Sequence, residues 1–301
     1  MKPLKNPPMN PQRRGAAGFT LVELIIVMVI TGILSAMVAL FIRVPVTAYV
    51  EAVARADLSD VADTSLRRLT RDLRLALPNS VRVSSDGRYM ELLLTKTGGR
   101  YLAEEDESLT GNVLSFTASS PGLSFDIVGS VPSGRQAITA GDSIVVYNLG
   151  PGFDPADAYN CTGSAPSCNR ATVSTIVGNT VTLLSNPFAA QSPTMPSPTS
   201  RFQVVSTPVT YFCDQTSSGG SGRLVRYSGY AIQAAQPILS TGAPLVTAPV
   251  QARLADQVVS CSFSMVSLAS VQRGLVSLLI TLGSGTETLT LQQQVHVDNA
   301  P

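Results

Sequence analysis

The sequence predicts an α+β protein in which a long N-terminal helix packs on an antiparallel β-sheet domain. Residues 19–42 form one apolar run with a single charge, and helical periodicity then continues to Leu77. After Pro78 the pattern changes to short strands that alternate with turn residues. Helical segments followed by a series of strands are typical of the α+β class.

The composition favours an exported, mildly acidic body over a nucleic-acid-binding one. The chain has 301 residues, of which 14% are charged, and its formal net charge is +1. Four basic residues precede the apolar run with no acid among them: Lys2, Lys5, Arg13 and Arg14. Without these four the formal charge would be −3. Nucleic-acid-binding domains present a basic face, so no nucleic-acid partner is expected.

The apolar run predicts a helix that crosses the inner membrane. Its 24 residues would extend about 36 Å, and the hydrocarbon core is roughly 30 Å thick. The basic residues before it place the N-terminus in the cytoplasm, so the chain after residue 43 is expected in the periplasm. A secretory signal peptide and a plain signal anchor are two alternatives. Neither explains Glu23, because a carboxylate inside a membrane segment is costly.

The residues around Glu23 resemble a known processing signal. The stretch Gly18-Phe19-Thr20-Leu21-Val22-Glu23 is similar to the class III signal of type IV pilins and pseudopilins. The resemblance implies that prepilin peptidase cuts between Gly18 and Phe19, removes a leader of residues 1–18 and leaves Phe19 to be N-methylated. Residues 19–43 would then form the core of a filament. Within it, Glu23 can pair with the Phe19 ammonium of a neighbouring subunit and set the axial register.

Residues 44–77 predict an amphipathic helix that continues the membrane helix. Apolar residues recur at helical spacing at Ala54, Leu58, Val61, Leu69, Leu73 and Ala76. The arginines from Arg67 to Arg74 are interleaved with Asp72, so we interpret this stretch as a solvated face and not as a DNA contact. Pro78-Asn79 ends the helix. A type IV pilin-like fold is therefore expected, with this second half of the helix packed on the sheet.

Residues 78–301 predict a periplasmic β-rich domain. One hairpin is expected around Asp86-Gly87 and another around Gly178-Asn179. Further strands are predicted near 112–117, 122–128, 143–148, 202–212, 223–230, 258–266, 274–282 and 286–297. The region of about 130–200 contains a stretch rich in Pro, Asn, Ser and Gly, and we interpret it as an insertion into the sheet.

The four cysteines predict two disulfides in an exported body. Three pairings are possible, and we favour Cys161–Cys168, which closes a short loop, with Cys213–Cys261 joining two predicted strands. The spacing of the cysteines and the presence of a single histidine, His296, argue against a zinc site. No catalytic motif is recognisable, and His296 is interpreted as a strand residue. No enzymatic activity, metal or cofactor is therefore expected.

Several C-terminal stretches resemble the minor pilins of the MSHA pilus, of the MshO type. They are 211–214 (YFCD), 222–230 (GRLVRYSGY), 254–261 (LADQVVSC) and 294–301 (QVHVDNAP). PilW-like minor pilins and the J-type pseudopilins of type II secretion share the same helix. The resemblance implies a role in pilus assembly, with other minor and major pilins, prepilin peptidase and inner-membrane lipid as partners. A signal-anchored periplasmic enzyme or adhesin is the competing class.

Overall fold

The computed structural model describes residues 18–106, 110–119, 121–161, 167–215, 222–268, 273–285 and 287–300. The expected leader therefore lies outside the described residues, apart from Gly18. The chain divides into two compact units, Met1–Val53 and Ala54–Pro301. A single long helix and a large antiparallel β-sheet confirm the α+β class.

Helix α1 spans Leu21–Arg74 and ends three residues before the predicted boundary. The residues that follow it pair with the sheet instead. Leu77 donates its backbone N–H to Leu93, and Leu75 accepts one from Thr95. These sheet contacts satisfy backbone groups that another helical turn would otherwise use.

The part of α1 in the second unit buries one face against the sheet. Leu58, Ala62, Leu66, Leu69 and Leu73 are buried at intervals of three or four residues. They belong to one buried cluster with residues of six strands, among them Leu92, Val209, Tyr211, Phe263 and Leu278. Val61, which the sequence assigned to this face, lies at its border and is 39% exposed.

The strands of the second unit are antiparallel to their neighbours. Within the described residues they are β1 (Arg82–Val83), β2 (Tyr89–Tyr101), β3 (Ser124–Val128), β4 (Ser143–Val145), β5 (Arg170–Val177), β6 (Thr180–Leu183), β7 (Arg201–Asp214), β8 (Gly222–Ser228), β9 (Val250–Leu268), β10 (Arg273–Ser284) and β11 (Glu287–Asp298). Short 3-10 helices cover Gly134–Gln136 and Pro187–Ala190. Both predicted hairpins are present, as β1–β2 and β5–β6.

Strand β7 pairs with three other strands of the sheet. It pairs with β2 along one edge and with both β4 and β8 along the other. From β8 the sheet continues through β9 and β10 to β11. On the other side the pairings β2–β3–β6–β5–β4–β7 close into a circuit around a second core, which includes Phe125, Ile144, Val181 and Phe202.

The prediction of a strand at 112–117 is wrong. This segment has no strand ladder, although Leu114 is buried. Two single backbone hydrogen bonds hold it: Leu114 donates to Leu102, and Asp126 donates to Asn112. Leu114 suggested a strand because it is apolar, but it is buried in the core as part of an irregular segment.

The most deeply buried carboxylates of the second unit, among the described residues, are those of Asp72 and Glu91. Asp72 is 3% exposed, so assigning it to a solvated face was wrong. It accepts hydrogen bonds from the Arg226 Nε at 2.7 Å and the Tyr211 hydroxyl at 2.8 Å. Glu91 is fully buried and lies 2.6 Å from Arg82. Burial raises the pKa of the Glu91 carboxyl, while the charge on Arg82 acts in the opposite direction.

The structure contains the two expected disulfides, Cys161–Cys168 and Cys213–Cys261. The second joins β7 to β9, which flank β8, and both of its cysteines belong to the core beneath α1. Its cysteines are 48 positions apart, compared with 7 for the first pair. Closing a longer loop removes more entropy from the unfolded chain.

Replacing Cys213 and Cys261 together by alanine is therefore expected to destabilise the protein more than replacing Cys161 and Cys168. Loop entropy alone gives about 4 kcal/mol for Cys213–Cys261 and about 2.5 kcal/mol for Cys161–Cys168. Urea unfolding of the full chain in detergent, without reductant, measures both. Equal losses from the two double variants would contradict this ranking.

Candidate processing and assembly site

The expected cleavage site directly precedes the first turn of α1. Thr20 is the N-cap, because its side-chain oxygen accepts a hydrogen bond from the Glu23 backbone N–H at 3.2 Å. Its backbone carbonyl accepts from Leu24 at 3.1 Å. Sequence reasoning missed this role of Thr20, although Thr-x-x-Glu is the pattern of a capping box.

The bond between Gly18 and Phe19 lies outside the helix, in irregular backbone. Gly18 is exposed, and Phe19 is 83% exposed. A Cβ built on Gly18 would meet no atom within 4 Å, so packing within the described residues does not require glycine there. This geometry leaves the bond accessible to a peptidase.

Glu23 presents an exposed carboxylate in the first turn of α1. A negative charge is favourable at this end of a helix, because the backbone N–H groups carry partial positive charge. The carboxylate makes no ion pair with any residue that the structure describes. It is therefore available to a cation from outside the chain.

The apolar segment that follows Glu23 is exposed on all sides. By length and composition α1 can cross a membrane, and none of its most apolar window is buried. The core helix of a soluble protein would be mostly buried. The exposed apolar side chains need lipid or other helices around them, which indicates membrane anchoring.

Titratable residues of the β-domain form no comparable site. Among the described residues, no group of three or more His, Cys, Asp or Glu side chains is arranged to hold a metal ion. His296 lies within β11, opposite Leu275 of β10, which is the strand position expected for it.

Comparison with known proteins identifies the N-terminal segment. Residues 13–39 match the family model described as the prokaryotic N-terminal methylation motif. This span includes Gly18, Phe19 and Glu23. The chain matches no curated protein and no solved structure.

The methylation motif belongs to a structural, non-enzymatic class of proteins. It indicates a type IV pilin or pseudopilin that is processed by prepilin peptidase and assembles with other pilins. Its position on the exposed, capped start of an apolar helix agrees with that assignment. In its N-terminal segment, the chain is therefore type IV pilin-like.

Proposed function

We propose that this chain is a minor pilin of an MSHA-type type IV pilus that acts in pilus assembly or initiation. The observation that carries the proposal is the matched motif at a helix start where Gly18, Phe19 and Glu23 are all exposed. In this proposal the precursor is anchored in the inner membrane with its N-terminus in the cytoplasm. Prepilin peptidase removes residues 1–18, and Phe19 becomes the methylated N-terminus.

Each part of the chain then has one task. Residues 19–43 form the filament core, and Glu23 sets the register by pairing with the Phe19 ammonium of a neighbouring subunit. Residues 44–77 connect this core to the β-rich domain of residues 78–301, in which about 130–200 is an insertion. The domain supplies specific contacts to other minor and major pilins. Because Glu23 needs a preceding neighbour to neutralise it, we place the subunit below the filament tip.

Support for the MSHA assignment comes from the C-terminal stretches that carry the resemblance. Most residues of these stretches lie on β7, β8, β9 and β11. They include both cysteines of the Cys213–Cys261 disulfide and the buried Arg226. The resemblance therefore includes residues that stabilise the core of the domain.

The mature N-terminus tests the processing step. Mass spectrometry of the protein from cells with prepilin peptidase is expected to find methylated Phe19 as the first residue. Gly18→Val is expected to abolish cleavage without disturbing the fold, because the structure leaves space for a side chain there. Gly32→Ala is the matched control, since Gly32 has the same open surroundings and lies within the helix. A mature protein that retains residue 1, or begins after Ala39, would exclude the pilin assignment.

Deletion of the gene tests the choice of filament. Cells without this subunit are expected to carry fewer surface pili while type II secretion continues unchanged. Loss of secretion with normal pili would assign the chain to the J-type pseudopilins instead.

A further inference from the structure

Strand β11 forms an edge of the sheet that is long and regular. Its 12 residues pair with β10 without a register shift, and no other described strand pairs with it. Proteins usually protect such edges with short strands, bulges, Lys or Pro. β11 has none of these features, and its only acidic residues, Glu287 and Asp298, lie at its two ends. The strand at the other end of the sheet, β1, has only two residues.

The strand pairing shows which backbone groups of β11 face the open edge. In an antiparallel ladder, successive residues direct their N–H and C=O groups to alternate sides of the strand. Phe263 of β9 donates its N–H to Gly87, away from β10, so its partner on β10, Leu278, directs its own groups toward β11. Leu278 lies opposite Gln293, whose groups therefore point to β10. The even-numbered residues of β11 direct theirs to the open edge: Thr288, Thr290, Gln292, Gln294, His296 and Asp298.

The side chains of β11 are incompletely covered as well. Those of the even-numbered residues are all exposed. On the opposite face, Leu289 and Leu291 are only partly buried, although they pack against the core beneath α1. A strand added beside β11 would cover them, because side chains of neighbouring strands on one face contact each other.

A groove of about 640 Å³ lies between α1 and β11. Leu66, Arg71 and Arg74 line it on the helix, and Gln293 lines it on the strand. Neither Arg71 nor Arg74 forms an ion pair with a residue that the structure describes. An added strand directs alternate side chains into this groove, where the two guanidinium groups favour a carboxylate.

We propose that the open edge of β11 binds an extended strand from a different pilin subunit. The main chain of that strand pairs with the even-numbered residues of β11 and continues the sheet by one strand. Its apolar side chains cover Leu289 and Leu291, and one acidic side chain lies beside Arg71 and Arg74. The backbone hydrogen bonds supply affinity, and the side chains in the groove supply specificity.

The choice of a different subunit rests on the proposed function. Two β11 edges that pair antiparallel are related by a two-fold axis perpendicular to the sheet. Because α1 packs on the face of the sheet, the α1 helices of two such copies would point in opposite directions. Chains anchored in one membrane by the same N-terminal helix point the same way instead. β11 also has no acidic residue between its two ends that could meet Arg71 and Arg74.

Residue-resolved hydrogen exchange tests the open edge. In the full chain purified alone in detergent, the amides of Gln292, Gln294 and His296 are expected to exchange about a hundredfold faster than those of Gln293 and Val295, which are bonded to β10. In the same chain co-purified with the other minor pilins of its pilus, the three edge amides should slow to the rates of their neighbours. Equal rates for all five amides in the isolated chain, or unchanged rates in the complex, would overturn the proposal. Slowing in the isolated chain that increases with its concentration would identify a second copy as the partner and overturn it too.

Gln294→Pro tests the backbone contact, because it removes an N–H that faces the open edge and takes no part in pairing with β10. The variant is expected to leave the urea midpoint of the isolated chain nearly unchanged. In the presence of the minor pilins it should abolish the slowing at Gln292 and His296. Gln294→Ala keeps the N–H and is the matched control. Slowing that persists in Gln294→Pro would show that the partner contacts side chains and does not add a strand.

Charge reversal tests the groove and leaves β11 unaltered. Arg71→Glu with Arg74→Glu is expected to lower the yield of the co-purified complex about tenfold, which corresponds to the loss of two exposed ion pairs. Arg135→Glu with Arg201→Glu makes the same change of charge at two exposed residues outside the groove and should leave the yield unchanged. Equal yields from the two double variants would show that no acidic side chain binds in the groove, which overturns the proposed partner.

The maturation of Phe19 separates this inference from the proposed function. If Phe19 is the mature N-terminus and the edge amides exchange alike with and without the minor pilins, the inference is wrong while the proposed function stands. If residues 1–18 remain attached in cells that contain prepilin peptidase, the proposed function is wrong, and the choice of a pilin as the partner fails with it.

Discussion

Glu23→Ala is expected to be cleaved normally but to fall at least about tenfold in filaments. The carboxylate plays no part in the peptide bond between Gly18 and Phe19, which lies before the helix. In the proposed filament, however, its loss would leave the Phe19 ammonium of a neighbouring subunit buried without a counter-charge. An unpaired buried charge costs about 3–5 kcal/mol, which is enough for a tenfold loss. Immunoblots of sheared filaments and of membranes measure the two pools.

Three variants separate charge from helix stability. Glu23→Gln keeps the shape and removes the charge, so it should behave like Glu23→Ala. Thr20→Ala removes the N-cap hydrogen bond, costs about 1 kcal/mol of local helix stability and should still assemble. Glu51→Ala removes another exposed carboxylate of α1 and should match the wild type. Wild-type amounts of Glu23→Ala in filaments would show that the carboxylate does not set the register.

Asp72→Ala is expected to destabilise the β-domain by about 3–5 kcal/mol, because it leaves the buried Arg226 without a counter-charge. The Arg226 side chain is only 7% exposed, and its other side-chain hydrogen bond is to Ser228. Tyr211 also loses the acceptor of its hydroxyl hydrogen bond. Burial and the negative charge of Asp72 raise the pKa of Tyr211, so this hydroxyl stays protonated and remains a donor. Urea unfolding of the full chain in detergent measures the loss.

Two comparisons identify the cause of that loss. Asp63→Ala breaks the exposed ion pair with Arg67 and should cost less than about 1 kcal/mol. Asp72→Leu combined with Arg226→Met removes both buried charges and should be far less destabilising than Asp72→Ala alone. If the double variant is as unstable as the single one, the penalty comes from packing and not from an unpaired charge.

Local patterns were sufficient to predict much of the β-domain. Alternating apolar residues and the Asp86-Gly87 turn predicted the β1–β2 hairpin, since a strand pair closed by a tight turn is a local structure. The same reasoning failed at 112–117, where a buried Leu114 looks the same in a strand and in a loop. Whether an extended segment joins a ladder depends on which backbone groups remain free beside it, and those belong to distant residues.

The long apolar helix and the methylation motif of the N-terminal segment could be predicted from the sequence. Length, apolarity, preceding charge and the stretch from Gly18 to Glu23 are local properties, and a membrane helix satisfies its backbone hydrogen bonds within itself. The tertiary structure was needed for everything that depends on partners far along the chain. It buries Asp72 against Arg226, closes β2 to β7 into a circuit and leaves Asp57, Asp60, Arg71 and Arg74 on an open face. The sequence pattern around a helical carboxylate such as Asp72 is the same whether that carboxylate is solvated or is paired with a guanidinium 154 positions away. Only the folded structure distinguishes the two cases, because it determines which charges are buried together.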